Sequence, residues 1–350
     1  MYINAYYSIT IQPTSEDDFF WEEDKLLSYN YSPIPSHSPE YKTLIPALQL
    51  RRLNKSMRMA LFCGLKISEK LNSQKIDAIM VGTGLGCLRD SEKFTETVLD
   101  DELSTLNPTP FIQSTHNMAS ATLALALDCK GYNMTYVHDS HSFESTLVDA
   151  RLYLKENKDQ TLLIGAVDEI GEQTPKFWGL IDWTRKSSIE IPDSTFGEKG
   201  EISAEGAAFF ALKAEKDENS IAKIVGYDFS YSPESPLNFV KKFLDRNSIK
   251  DYVVILGKNG DQNYDHHYEE LENKLFSSKT ILTYKNLIGE FDTAQSIAFS
   301  IACQIFEKGQ IPTALIKQSG DILENPPYII LYNQRKGKHH SVILIENCKF

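Results

Sequence analysis

Residues 133–150 read NMTYVHDSHSFESTLVDA. A short β-prone run at 134–137 meets a tight polar turn, His138-Asp139-Ser140, and an amphipathic helix begins at about Phe143. A strand that turns sharply into a helix sets its turn residue at the helix N-terminus, where free backbone N–H groups stabilise an anion. Nucleophiles favour such elbows, and the candidate here is Ser140. The preceding stretch, PTPFIQSTHNMASATLALALDCKGY (108–132), is a small-residue helical pattern closed by Lys130-Gly131.

Outward from the elbow, strand and helix alternate. Residues 2–11 are β-prone and aromatic, and 14–39 form an acidic, then Tyr-, Ser- and Pro-rich excursion. Residues 54–71 carry Met57, Leu61, Leu65 and Ile67 at helical spacing, and strands are expected at 76–81, 161–164 and 206–212. After the polar turn Glu215-Lys216-Asp217-Glu218 the alternation restarts. It brings a strand at 221–231, helices at 236–245, 268–276 and 293–307, strands at 252–256 and 280–283, and a closing pair at 328–332 and 341–346. Alternating β and α units put helices on both faces of a mixed sheet, an α/β fold.

The wording around the elbow resembles that of the β-ketoacyl synthases, the condensing enzymes of fatty-acid and polyketide synthesis. Asn117, Ala119, Gly131 and Asn133 stand in register with the family signature, and Ser140 stands where the family carries its cysteine. Four further segments follow in order: Gly82-Thr83-Gly84-Leu85-Gly86, Leu163 to Glu169 with its Asp168-Glu169 end, Glu205-Gly206-Ala207-Ala208, and Lys285 to Gly289. Single glycine-rich turns are weak signals, but five segments in order span roughly residues 76–345. The resemblance implies a thiolase-like fold, a duplicated five-layer αβαβα sandwich, with residues 1–217 and 218–350 as its two halves.

Condensation in that family needs a thiolate to carry the acyl chain and two histidines to polarise a thioester and stabilise an enolate. Cysteine suits the first task because it is partly ionised near neutral pH, whereas serine needs an adjacent base. Here Ser140 replaces the cysteine. GKNGDQNYD (257–265) stands where the first histidine belongs, and Glu290 takes the place of the second. Asn333 is followed by QRKGKHHS instead of a glycine-rich loop. The resemblance therefore implies a degenerate condensing site.

Two other readings of the site are open. His138, His141 and the more distant His116 supply bases near the Ser140 hydroxyl, as an acyltransferase or hydrolase requires. A substitute histidine elsewhere would instead make the chain an atypical active synthase. Against the first, neighbouring residues at an elbow diverge, so neither His138 nor His141 need reach the serine oxygen. The same divergence argues against a metal, because zinc wants ligands converging at about 2.0–2.1 Å. His266-His267 reads as a solvated helix start and His339-His340 as part of an exposed basic turn, RKGKHH. No cofactor and no metal are expected.

The chain has 350 residues, 41% hydrophobic and 24% charged, as globular proteins do. A net charge of −12 argues against nucleic-acid binding. It also means that an acidic carrier protein must dock on a local basic patch or on a partner. Five cysteines, odd in number and flanked by apolar residues, read as free thiols. MYINAYYSITI has no signal-peptide character and no run approaches 18 apolar residues, so no membrane span is expected and the cytoplasm is the expected compartment.

Degenerate ketosynthase homologues are known as chain-length factors, which pair with an active ketosynthase and bound the tunnel where the chain grows. The segments 108–127 and 140–150, with the short overall length, resemble such subunits of the aryl-polyene or flexirubin pigment type. That resemblance implies a partner, an active ketosynthase or a second copy, and an acyl carrier protein met through the complex. The expected interface is the helix 117–127 and the strand 134–137, with Asn117, Ala121, Ala124, Asn133 and Thr135 at the seam. Phe111, Met118 and Phe143 are the side chains expected to reach toward the partner's tunnel.

Overall fold

The computed structural model describes residues 1–14, 19–99, 107–185, 191, 197–322 and 324–349. Residues 15–18 of the acidic excursion lie outside that set. The first half begins with β1 (Tyr2–Ile9), followed by α1 (Ala47–Leu50), α2 (Lys55–Lys70) and β2 (Ala78–Gly82). Three helices, α3 (Leu88–Leu99), α4 (Pro108–Gln113) and α5 (Met118–Ala126), lead to β3 (Asn133–Tyr136). Then come α6 (Ser142–Glu156), β4 (Leu162–Asp168), α7 (Thr174–Leu180) and β5 (Gly206–Lys213). The second half opens with β6 (Ala222–Tyr231), α8 (Pro236–Asn247), β7 (Val253–Leu256), α9 (His266–Lys274) and β8 (Ile281–Thr283). It closes with α10 (Lys285–Ile288), α11 (Gln295–Lys308), β9 (Ile316–Gln318), β10 (Tyr328–Arg335) and β11 (His339–Asn347).

The strands form one 11-stranded sheet in the order β3-β2-β4-β5-β1-β6-β11-β10-β7-β8-β9. Its first five positions recur from the other side. β2 lies parallel to β3 and β4 as β7 does to β8 and β10, while β5 is antiparallel to β4 and β1 as β11 is to β10 and β6. Strand β9 has no counterpart and covers the outer edge of β8. The two five-stranded sets meet at β1 and β6, where the register joins Tyr2 to Lys223 and Ile3 to Ala222. They are therefore continuous at one edge, where a sandwich drawn from sequence has two separate sheets.

Strand alternation builds the layers. On β2, Ala78 and Met80 face an inner core that also holds Phe143 of α6 and Phe299 of α11, while Ile79 and Val81 face a second core with residues of α2 and α5. On β7, Val253 and Ile255 face the inner core, and Val254 and Leu256 face a third core with α8 and α9. The order is helix, sheet, helix, sheet, helix, a thiolase-like five-layer α/β fold. Burial on both faces is why these strands read as continuous apolar runs.

Helix α11 shows what a central layer demands: residues 295–306 are all buried, whereas a surface helix keeps a polar face. It ends where Gly309 takes a left-handed conformation, φ +66°. Phe143, expected near a partner's tunnel, is instead fully buried, its ring 5.8 Å from Phe210 and 5.5 Å from Phe299. One residue into α6, it faces the inner layer and not the molecular edge.

Candidate functional site

Strand β3 ends at Tyr136 and α6 starts at Ser142, so the polar turn is the elbow between them. Its left-handed residue is Asp139, φ +46°. The backbone closes by His141 N–H donating to the His138 carbonyl at 2.9 Å and Ser142 N–H to that of Asp139 at 3.1 Å. Ser142 Oγ donates to the Thr83 carbonyl at 2.9 Å, fastening the elbow to the glycine-rich turn after β2. Gly82 permits this approach, since a Cβ there would stand 2.6 Å from the Ser142 carbonyl.

Ser140 is buried, 2% exposed, and its Oγ donates to Asp292 Oδ1 at 3.2 Å. The flanking imidazoles point elsewhere. His138 is exposed, with Nδ1 3.3 Å from Ser145 Oγ. His141 lies buried against Phe229 and His339, and burial pushes its imidazole down to about 4. His116 sits beside Gly86, and among the described residues no ring nitrogen hydrogen-bonds to the Ser140 oxygen.

Behind Ser140 lies a buried network of charges. Lys285, at the start of α10, holds both oxygens of Glu290 at 2.7 Å and the Asn333 side-chain oxygen at 2.8 Å. Asn259 Nδ2 donates to Glu290 Oε2 at 2.8 Å. Arg335 bridges Glu201 at 2.7 Å and Asp292 at 3.0 Å. Burial lowers the affinity of the Lys285 amine for its proton, and Glu290 opposes that. Burial also works against the Arg335 charge, but Asp292, Glu201 and Glu290 more than offset it.

Two further carboxylates of the quoted segments act as ties. Asp168 accepts from Thr83 Oγ1 and Gly84 N–H with one oxygen, and from Thr293 N–H and Oγ1 with the other, at 2.8–2.9 Å. Burial, with Asp292 adding repulsion, pushes its carboxyl up to about 6. Glu205 accepts from Ser36 N–H at 2.7 Å and Ile170 N–H at 2.9 Å. Asp168 thus fixes the glycine-rich turn that holds the elbow, and Glu205 fixes the loops at Ser36 and Ile170. Of the network itself, sequence reasoning pointed to Ser140, Lys285, Glu290 and Asn333 and missed Asn259, Glu201, Asp292 and Arg335.

Arg335 was missed because RKGKHH reads as one exposed turn. Strand β10 runs through Arg335 and only residues 336–338 turn, so His340 lies on β11 facing the third core. It is fully buried, with Nδ1 2.8 Å from Tyr332 Oη, not exposed as expected. His266 does start α9 and is exposed. Among the described residues no three His, Cys, Asp or Glu side chains are placed to hold a metal, and no helix is long and apolar enough to cross a membrane. The five cysteines are free.

The expected seam divides. Asn117 is exposed just before α5, and Ala121 is half-buried. Ala119 and Ala124 pack inward on the core beside α2, whereas Leu125 is 86% exposed. Asn133 Nδ2 donates to the Ser120 carbonyl at 3.0 Å, and Thr135 Oγ1 lies 2.8 Å from Ser120 Oγ, so α5 supports β3 at the sheet edge.

Residues 21–178 match the family model of the β-ketoacyl synthase N-terminal domain. No curated protein sequence matches the chain. Among solved structures it is similar to a ketosynthase in complex with its chain length factor from Xenorhabdus doucetiae, at 12% identity and a TM-score of 0.77 over 99% of this chain and 98% of that one. The ishigamide ketosynthase/chain length factor is alike at 11% identity and 0.78, with the same coverage. A β-ketoacyl synthase from Burkholderia phymatum follows at 10% identity and 0.77, again over 99% and 98%. Over residues 21–178 the sequence is similar to the β-ketoacyl synthase N-terminal domain, and over its whole length the chain has the fold of these ketosynthase structures.

Proposed function

We propose that this chain is a non-catalytic, chain-length-factor-like subunit that pairs with an active β-ketoacyl synthase and shapes its acyl or polyene tunnel. The setting is type II polyketide or fatty-acid-like pigment synthesis of the aryl-polyene or flexirubin kind, in the cytoplasm, with the acyl carrier protein met through the complex. Residues 1–217 and 218–350 are then two halves of one unit. The observation that carries the reading is the filled site. Ser140 is buried and bonded to a carboxylate that Arg335 already holds, and Glu290 is clamped by Lys285. A carboxylate paired with a guanidinium is a poor base, and a carboxylate beside a forming enolate raises its barrier.

Incubation with an acyl-carrier thioester, followed by intact-mass measurement, should show no acyl adduct. The Ser140→Cys variant should release no carbon dioxide from malonyl-carrier, because neither histidine function is supplied. An adduct on the wild type that disappears in Ser140→Ala would replace this reading with a serine acyltransferase.

The pairing surface is supported by the edges of the sheet. At one end β9 covers β8 with a three-residue strand carrying Lys317, a common way of blunting an edge. At the other end β3 has no further strand beside it among the described residues, and its sequence NMTY contains neither proline nor a charge. An unblunted edge invites a further strand. Ala121→Arg on α5 should therefore abolish association in size-exclusion chromatography with light scattering, while Glu269→Ala, at an exposed position of α9, should leave it intact.

A further inference from the structure

A cavity of about 420 Å³ lies where α2 and α11 end, walled also by β1, the turn into β6 and the segment after β11. Its lining includes Asn4, Tyr6, Lys70, Glu307, Lys308 and Lys349. Helix α11 has 14 residues and spans about 21 Å at 1.5 Å per residue. Thr293, which binds Asp168, precedes its first turn, whereas Lys308 closes its last. The cavity is therefore separate from the network around Ser140.

The balance of charge decides what the cavity takes. Its three ammonium groups meet the Glu307 carboxylate and the C-termini of two helices, each of the latter worth about half a negative charge. About one positive charge is left over by that count, within a chain whose net charge is −12. Two of the ammonium groups are held on aromatic faces. Lys70 Nζ stands 4.9 Å from the Tyr6 ring centre, and Lys308 Nζ 4.7 Å from that of Trp21. Glu307 accepts from the Tyr6 hydroxyl, which ties the carboxylate to β1.

Asn4 adds a second, independent requirement. It is 7% exposed, and its amide is oriented by Asp217, a carboxylate that only accepts and so takes the Nδ2 proton. Asn4 Oδ1 is left as a buried acceptor with no hydrogen-bond partner among the described residues. Such an atom is costly until a donor reaches it. A small anion alone answers the lysines and leaves Asn4 unpaired. A phosphate monoester of a hydroxylated molecule answers both. It carries a charge of about −1.5 to −2 at neutral pH with three acceptor oxygens, and its hydroxyl groups donate. The volume suits it as well, since ligand pockets begin at about 300 Å³. We propose that this cavity binds a small organic phosphate, with Lys70, Lys308 and Lys349 on the phosphate oxygens and Asn4 Oδ1 accepting from a hydroxyl of the organic part.

The test is isothermal titration calorimetry of the full chain in a phosphate-free buffer of low ionic strength, with ribose 5-phosphate, inorganic phosphate and ribose as probes. Ribose 5-phosphate is expected to fill a single site with a Kd of about 100 μM or tighter, inorganic phosphate to bind about 10-fold more weakly, and ribose not to bind. The double variant Lys308→Gln with Lys349→Gln should weaken ribose 5-phosphate about 100-fold, a factor of about 10 for each charge-assisted bond lost. Lys274→Gln, at an exposed position of α9, should leave the affinity unchanged, and thermal melts check that each variant is folded. Absence of saturable binding of either phosphate overturns the site, as does binding that the double variant leaves intact. Equal affinity for the two phosphates overturns the role given to Asn4.

Discussion

Replacing Arg335 with methionine should cost the fold about 3–5 kcal/mol, because removal of one partner strands buried charge. Arg335 is 4% exposed and faces Glu201 at 2.7 Å, Asp292 at 3.0 Å and Glu290 at 3.9 Å. Methionine fills part of the volume but leaves Glu201 and Asp292 without their paired guanidinium, while Glu290 keeps Lys285 and Asn259. Urea unfolding at pH 7.5 measures the loss. The triple variant Arg335→Met, Glu201→Gln, Asp292→Asn should recover most of it, since neutral amides are far cheaper to bury than carboxylates. A loss below about 1 kcal/mol for the single variant would mean that the three carboxylates are solvated, and the filled-site reading would lose its foundation.

That network shows where one sequence stops being informative. Apolar periodicity made α2 and α11 visible, and the runs at 76–81 and 206–212 gave β2 and β5 to within two residues. Strand period and turn chemistry are local, and so was the Ser140 elbow. The partners of the site are not local: Ser140 meets Asp292 across 152 residues and Arg335 meets Glu201 across 134. No pattern in Gln334-Arg335-Lys336 distinguishes a strand arginine held by a distant glutamate from one in a solvated turn. Helix α3, LRDSEKFTETVL, buries no residue in the core, so its apolar stripe gave little to read. The alanines of α5 were legible as a close-packing face, but one sequence does not say which neighbour they face, and Ala119 and Ala124 face α2.

Glu144→Gln should stabilise the protein at pH 8 and change little at pH 5. Glu144 is fully buried in the first turn of α6, and burial pushes its carboxyl from the ordinary 4.5 up to about 7, against the pull of the Ser341 hydroxyl and the Lys285 charge. A carboxyl raised on folding favours the native state below the unfolded value and loses that contribution as pH rises toward the folded value. The window is therefore about pH 4.5–7, and the loss above it is about 3 kcal/mol. Glutamine has no charge to bury, so the variant escapes that loss. The wild type alone would not reveal it. Glu169, also pushed up to about 7 by burial, acts in the same sense. His141 and His340, driven down to about 4 mainly by burial, act in the opposite one, losing their contribution as pH falls from 6.5. The difference between variant and wild type removes those shared terms, since only position 144 changes. Thermal melts at pH 5, 6, 7 and 8 should show the Tm gap opening with pH in favour of the variant. A gap that stays constant would mean that Glu144 keeps one protonation state throughout, its charge held by Lys285 across the inner layer.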